Sequence, residues 1–189
     1  MPRHADPDLE PRLLEAARKL WHAGGDEALS MRALARAAKT NTPAIYRRFR
    51  DRTDILRALM LHFRNQWVEA IRSAGSLEDS VEAYIDNGLT HPREYALYFT
   101  EPTLRPAESR TVEIGPGFVW AQAKCAERFG GSPEDYVQLV LALWALAHGT
   151  VTFLNTKVLP PQRAAELRAA CRDAVAVLLR NAEQGRKQI

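Results

Sequence analysis

Three residues that cap helices well, Ser30, Asn41 and Asp51, follow one another at intervals of 11 and 10 residues, and this spacing constrains the chain more than any other feature. A segment bounded in this way holds only a few helical turns, too few to be stable alone, so packing must fix it. Leu29 precedes the first cap and Leu34 stands at the fourth helical position, which suits a hydrophobic staple. Asn41 is followed by Thr42 and Pro43, and a proline in the first turn of a helix loses no hydrogen bond. The pattern predicts a short helix from Ser30 to about Ala38, a second over 41–49, and a longer one over 52–73. In the third, Leu56, Leu59, Met60, Phe63, Trp67 and Ile71 form one apolar stripe. Upstream, Leu14, Ala17 and Trp21 recur at helical spacing after Pro11, and Gly24-Gly25 ends that element.

Charge is distributed unevenly along this plan. Residues 1–72 carry 14 Lys+Arg against 9 Asp+Glu, and the remainder 12 against 14, so the net +3 is a basic start followed by a slightly acidic rest. Between Ser30 and Arg57, the cations Arg32, Arg36, Lys39, Arg47, Arg48, Arg50, Arg52 and Arg57 face only Asp51 and Asp54. A phosphate backbone is the matching partner. Two short helices joined by a tight turn, the second one basic, form a helix-turn-helix, and the major groove of double-stranded DNA admits such a helix by its N-terminal end. In "NTPAIYRRF" (41–49), Thr42 and Ala44 are short enough to let the backbone approach, and Tyr46 follows one turn later. Arg47 and Arg48 can reach phosphates or base edges, Ile45 and Phe49 face inward, and Lys39, Thr40 and Asn41 make the turn.

The chemistry of an enzyme is not expected. There is no GxSxG, no HExxH, no phosphate-cradling glycine loop and no Cys/His metal spacing, so neither cofactor nor metal is expected. Cys125 and Cys171 read as reduced packing residues. With 46% hydrophobic and 26% charged residues, the chain has what a packed core needs. The apolar stretch "YVQLVLALWALAHGTVTFL" carries Gln138 and His148 and begins beside Glu134 and Asp135, which favours a buried helix over a membrane span. The start, "MPRHADPDLEPR", lacks the apolar middle of a secretory signal, so a cytoplasmic location is expected.

The second half reads as further helices. Ser76 can cap one that Pro92 ends; "REYALYFTE" is a short aromatic helix; a proline-rich loop spans 102–117. Phe118, Gln122, Cys125 and Phe129 mark another helix, closed by Gly130-Gly131, and Ser132-Pro133-Glu134-Asp135 starts the next. That next helix is apolar nearly all round: Tyr136, Val140, Leu143, Ala147 and Val151 lie on one side, Leu139, Leu146 and Phe153 on others. A last helix after Pro160-Pro161 carries Leu167, Cys171, Ala174 and Leu178. These two helices, near 133–155 and 162–181, are expected to form the four-helix core of a homodimer, the alternative being that they fill the core of a monomer. Phe63, Trp67, Tyr84, Tyr98, Phe99, Phe118, Trp144 and His148 are candidates for an aromatic-lined cavity holding a small, largely apolar effector, although core packing would explain each one singly.

The run "ALSMRALARAAKTNTPAIYRRFRDRTDILRAL" resembles the N-terminal DNA-binding domain of the TetR family of bacterial transcriptional repressors, over about residues 9–61. The likeness rests on a small-residue helix, a turn, then x-x-[small]-[aliphatic]-Tyr-x-x-Phe and a basic residue opening the next helix. It implies an all-α homodimer with a helix-turn-helix head over 1–55, joined by the helix 52–73 to a helical effector-binding and dimerisation domain over 56–189. By the same resemblance Ser30, Tyr46 and Arg52 match phosphate-contacting positions, and Arg32, Thr42 and Pro43 match positions that can meet bases. Lys39 stands where the family usually has glycine, and "WALAHG" is similar to a Trp-x-x-x-His-Gly pattern in one TetR-like group. The implied function is a repressor bound to a two-half-site operator and released by its effector. A helical ligand or lipid carrier would leave the basic head unexplained, and an architectural DNA binder would leave the apolar second half unexplained.

Overall fold

The computed structural model describes residues 8–100 and 115–186, and every regular element among them is helical. In chain order these are α1 (Leu9–Ala28), α2 (Met31–Ala37), α3 (Thr42–Tyr46), α4 (Arg52–Arg72), α5 (Leu77–Thr90), α6 (Pro92–Thr100), α7 (Pro116–Phe129), a 3₁₀ turn (Pro133–Tyr136), α8 (Val137–Thr156) and α9 (Pro161–Arg186). The start 1–7 and most of the expected proline-rich loop lie outside the described residues.

The chain divides into two compact units. Of the described residues, 8–65 and 93–100 form the first, and 66–92 and 115–186 the second. The head is therefore larger than the expected 1–55. It keeps the first two thirds of α4, and it gains α6, whose Leu97 is buried in the head's core with Leu13, Leu34, Ile45 and Leu59. An apolar side chain assigns its helix to whichever core takes it out of water.

All three caps form as the spacing predicts. Ser30 Oγ accepts from the Ala33 N–H at 3.1 Å, Asn41 Oδ1 from Ala44 at 2.9 Å, and Asp51 Oδ1 from Asp54 at 2.9 Å. Leu29 and Leu34 are both buried, as a staple requires. Gly25 ends the regular part of α1 with φ 60 and ψ −135, a conformation open to glycine and costly for other residues. On α4, Leu56, Leu59, Met60, Phe63 and Trp67 are buried and Ile71 is half-buried.

The turn after α2 accommodates Lys39 by taking the left-handed conformation, φ 52. Its backbone explains how. The Thr40 N–H donates to Ala35 O at 2.9 Å and the Lys39 N–H to Arg36 O at 3.3 Å, the pair of bonds that closes a Schellman motif. A non-glycine residue in this region costs about 1–2 kcal/mol, and a glycine there gives back part of that as chain entropy. Lys39→Gly is thus expected to stabilise the head by about 0.5–1 kcal/mol in urea denaturation. Lys39→Val is expected to destabilise it.

In the second unit α8 packs against α5 and α9, and α7 joins them through the 3₁₀ turn. Gly130 and Gly131 carry φ 82 and 79, and the Ser132 N–H donates to Asp135 Oδ2 at 2.9 Å, so the helix start expected at Ser132 opens as a 3₁₀ turn. The buried residues of α8 are Val140, Leu143, Ala147, Thr150 and Val151. On α9 they are Cys171, Val175 and Leu179. This changes the expected dimer face. Tyr136, Val140, Leu143, Ala147, Val151 and Cys171 are buried inside the chain itself, so they cannot also meet a second copy. Of the nine candidates only Leu167, Ala174 and Leu178 remain half-buried. The most apolar stripe of each helix belongs to the chain's own core. By length and composition Pro133–Thr156 could cross a membrane, but its most apolar side packs on other helices of the same chain. Both cysteines are buried, and burial pushes the Cys125 thiol up to about 11, as befits a packing residue.

Candidate nucleic-acid interface and ligand region

The helix-turn-helix is α2, the Lys39–Asn41 turn and α3. Because α3 has five residues, its inward positions are few, and the core takes Ala44 and Ile45, with Phe49 just beyond. Ala44 is therefore a core residue and not the groove-facing one expected. What remains outward is Thr42, Pro43, Tyr46 and Arg47, with Tyr46 57% exposed. The caps serve a second purpose. Ser30 and Asn41 each use an oxygen as acceptor within the fold, which leaves the hydroxyl proton of one and the amide N–H groups of the other as donors.

Ion pairing sorts the basic residues. Arg50 donates to Asp54 at 2.8 and 3.1 Å, Arg57 to the same carboxylate at 3.1 Å, and Arg48 lies 3.9 Å from Glu10. The Arg50 guanidinium holds the Asp54 carboxyl down at about 2. Among the described residues Arg32, Arg36, Lys39 and Arg47 have no such partner, and all four are exposed. They run along α2, through the turn and onto the end of α3, a continuous line of unpaired positive charge. Arg36 belongs to the expected basic run without an individually assigned contact, and its position four residues after Arg32 puts it on the same helical face.

Arg52 is placed differently from the expectation. Its Nε donates to Leu29 O at 2.9 Å, and its Nη2 donates to Asp26 O at 3.0 Å and Asp26 Oδ1 at 2.5 Å. The guanidinium ties the start of α4 to the segment between α1 and α2, and its donors are committed to the protein instead of a phosphate. Arg52→Ala should accordingly lower the stability of the head by about 1–3 kcal/mol, since two backbone carbonyls lose a charged donor. Thermal melting reads this. A variant that melts like the parent, yet binds DNA with a reduced salt slope, would return Arg52 to the phosphate role.

The eight candidate effector residues are not all brought together. Phe63, Tyr98 and Phe99 belong to the head unit, where Phe99 meets Tyr98 edge-on at 4.8 Å and Tyr95 at 4.7 Å. Phe118 is half-buried at the start of α7. The other four form one cluster in the second unit. The Trp67 and Tyr84 rings lie 4.5 Å apart, Trp144 Nε1 donates to the Tyr84 hydroxyl at 3.1 Å, and that hydroxyl lies 3.3 Å from His148 Nδ1. The tyrosine oxygen accepts from Trp144 and keeps both a proton and a second lone pair, so either neutral tautomer of His148 satisfies the Tyr84–His148 bond. Burial lowers the His148 pKa, which favours the neutral imidazole. His148 is thus a hydrogen-bonding group and not a cation. A separate cleft of about 620 Å³ in the same unit is lined by Arg72, Ser76, Glu78, Trp120, Lys124 and Arg128. Its Arg128–Glu78 pair, at 2.8 Å, puts opposite charges on its wall, which the aromatic cluster does not have.

Comparison with known proteins bears on this arrangement. The model of the bacterial regulatory proteins of the TetR family matches residues 13–59, and that of the tetracyclin repressor-like C-terminal domain matches residues 77–178, more than half of the chain. No curated protein sequence matches. A protein of unknown function from Rhodococcus sp. RHA1 is similar in structure, with 25% identity, a TM-score of 0.71 and coverage of 96% of this chain and 98% of that one. A TetR variant from Acinetobacter baumannii AYE, in complex with minocycline, is 20% identical with a TM-score of 0.62, covering 94% of this chain and 97% of its own. The multidrug binding protein EbrR, complexed with imidazole, is 16% identical with a TM-score of 0.63, covering 94% and 93%. With a helix-turn-helix carrying a line of unpaired cations, and a second helical unit matched by the family's C-terminal domain, the chain belongs to the TetR family of bacterial regulatory proteins.

Proposed function

We propose that this regulator is a cytoplasmic repressor that binds a two-half-site operator as a homodimer and leaves it when a small, largely apolar effector occupies the second unit. The observation that carries the DNA-binding part is the row Arg32, Arg36, Lys39 and Arg47, which faces solvent without ion-pair partners among the described residues. Unpaired, exposed cations on a helix-turn-helix are where phosphate and base contacts are made. The effector part draws support from the Trp67–Tyr84–Trp144–His148 cluster, which joins aromatic surface to a neutral hydrogen-bonding imidazole. It also draws support from two proteins of similar fold that hold minocycline and imidazole. Helix α4 runs unbroken from Phe63 in the head to Trp67 in the second unit, which gives a route by which a ligand's differential affinity for two conformations could reach the DNA-binding surface.

Selection of bound sequences from a random duplex pool, followed by band shifts on the selected operator and a scrambled duplex, tests the reading. Arg32→Ala should lose about 1–3 kcal/mol on the operator, relax the preference at one base pair in each half-site, and bind the scrambled duplex nearly as the parent does. Equal weakening of both duplexes would make Arg32 a backbone contact and leave base reading to Thr42, Pro43 and Arg47. Selection that enriches no sequence would overturn the repressor reading.

A further inference from the structure

The cleft in the second unit is formed by Arg72 on the last turn of α4, by residues 74–78 around the start of α5, and by Trp120, Lys124, Glu127 and Arg128 on α7. All of these residues belong to that one unit, and the volume of about 620 Å³ is in the range of small-molecule sites. Most of the charge on its wall is already matched. Arg128 Nη1 donates to both oxygens of Glu78, at 3.0 and 2.8 Å, and Lys124 Nζ lies 2.6 Å from Glu127 Oε2. These two pairs cancel, and Arg72 is the cation left over.

Arg72 is exposed, and its guanidinium makes one hydrogen-bond contact among the described residues, from Nη2 to the Pro116 carbonyl at 3.5 Å. That distance is at the limit of a hydrogen bond, and a neutral carbonyl leaves the charge unanswered. The contact still places the guanidinium beside the first turn of α7. Trp120 stands one turn after Pro116, so the two side chains share a wall of the cleft. Trp120 is half-buried, and its indole has neither a hydrogen bond nor a ring partner among the described residues. An aromatic ring on a cleft wall with no other ring against it offers a stacking surface to a ligand. The guanidinium and the indole N–H can only donate, so the ligand that satisfies them must accept.

We infer that this cleft binds a planar aromatic carboxylate, whose acid group pairs with Arg72 and whose ring stacks on Trp120. The fork of a guanidinium matches the two oxygens of a carboxylate, and the flat indole matches a flat ring. A cationic ligand is disfavoured, because both carboxylates of the wall already hold a cation and Arg72 would repel it. The cleft shares no residue with the Trp67–Tyr84–Trp144–His148 cluster, so the inference stands whether or not that cluster holds an effector. Sequence reading passed over the site because Arg72 and Trp120 come from helices far apart in the chain and belong to no motif.

Calorimetric titration of the full-length protein with 2-naphthoate, with the neutral 2-naphthalenemethanol and with inorganic phosphate tests the site. Naphthoate should bind, and the other two should bind at least about tenfold more weakly, since one lacks the charge and the other the ring. Arg72→Gln changes an exposed residue and should melt as the parent does, while its affinity for naphthoate falls to that for the alcohol. Trp120→Ala should weaken naphthoate binding, and Trp120→Phe should restore most of it, which separates loss of stacking from any loss of stability in the alanine variant. If naphthoate does not bind, if the alcohol or phosphate binds as tightly, or if Arg72→Gln keeps the parent's affinity, the inference fails. Binding that survives Arg72→Gln unchanged would lie outside this cleft.

Discussion

Ile45→Ala is expected to destabilise the head by about 3 kcal/mol and to take operator binding with it. Ile45 is fully buried, and it is the fourth residue of α3, a helix of five residues. So short a helix has almost no stability of its own. What holds it is its inner side, Ala44, Ile45 and the nearby Phe49, together with the Asn41 cap. Removing most of the Ile45 side chain leaves a cavity beneath the element that must enter the groove, so α3 loosens before the rest of the head unfolds. Ile45→Val should cost only about 1 kcal/mol and keep DNA binding. Tyr46→Ala offers the converse case. Its ring is exposed, so denaturation should match the parent while operator affinity falls. Urea denaturation and band shifts on the same three variants separate these outcomes. An Ile45→Ala protein that unfolds like the parent would mean that α3 is held by something other than its inner side.

The contrast between Ile45 and Ala44 shows what could be read before any fold was known. The caps Ser30, Asn41 and Asp51, the staple and the α4 stripe were legible because each is a local rule that depends on residues a few positions apart. Which way a small residue such as Ala44 faces is not local, since alanine fits a groove-facing position and a core position equally well. The same holds for Arg52. Its basic character was visible, but its partners, Leu29 and Asp26, come from the other side of the helix-turn-helix. In the aromatic set, Tyr84, Trp144 and His148 were recognisable as candidates, and their hydrogen-bonded order was not, because α5 and α8 meet only in the folded unit. Assignment of α6 to the head follows the same logic, resting on where Leu97 is buried and not on its position in the sequence.

Substitution of Val177 by aspartate, combined with Leu141→Asp, is expected to give a folded monomer with operator affinity lowered by about 10²–10⁴-fold, the loss that follows when two linked half-site contacts become one. The apolar residues that the chain's own core does not take identify the positions. On α8, Leu141 is 44% exposed, and Ala145, Gly149 and Thr152 continue from it at i+4, i+8 and i+11. On α9, Val177 is 45% exposed, with Ala170 and Ala174 on the same face and Leu167 and Leu178 half-buried at its margin. Small residues between larger apolar ones let two helices approach closely, and a two-fold pairing of α8 and α9 with their copies would cover both faces at once. A charge on each face would then be buried unpaired in the dimer and hydrated in the monomer, so the cost falls on assembly and not on the fold. Leu143→Ala supplies the comparison, because Leu143 is buried within the chain. It should lower the melting temperature through a core cavity while the assembled protein remains dimeric. Sedimentation at micromolar concentration distinguishes the two variants. If the doubly charged protein still sediments as a dimer, the pairing runs through another surface, and the half-site geometry must be derived from that surface instead.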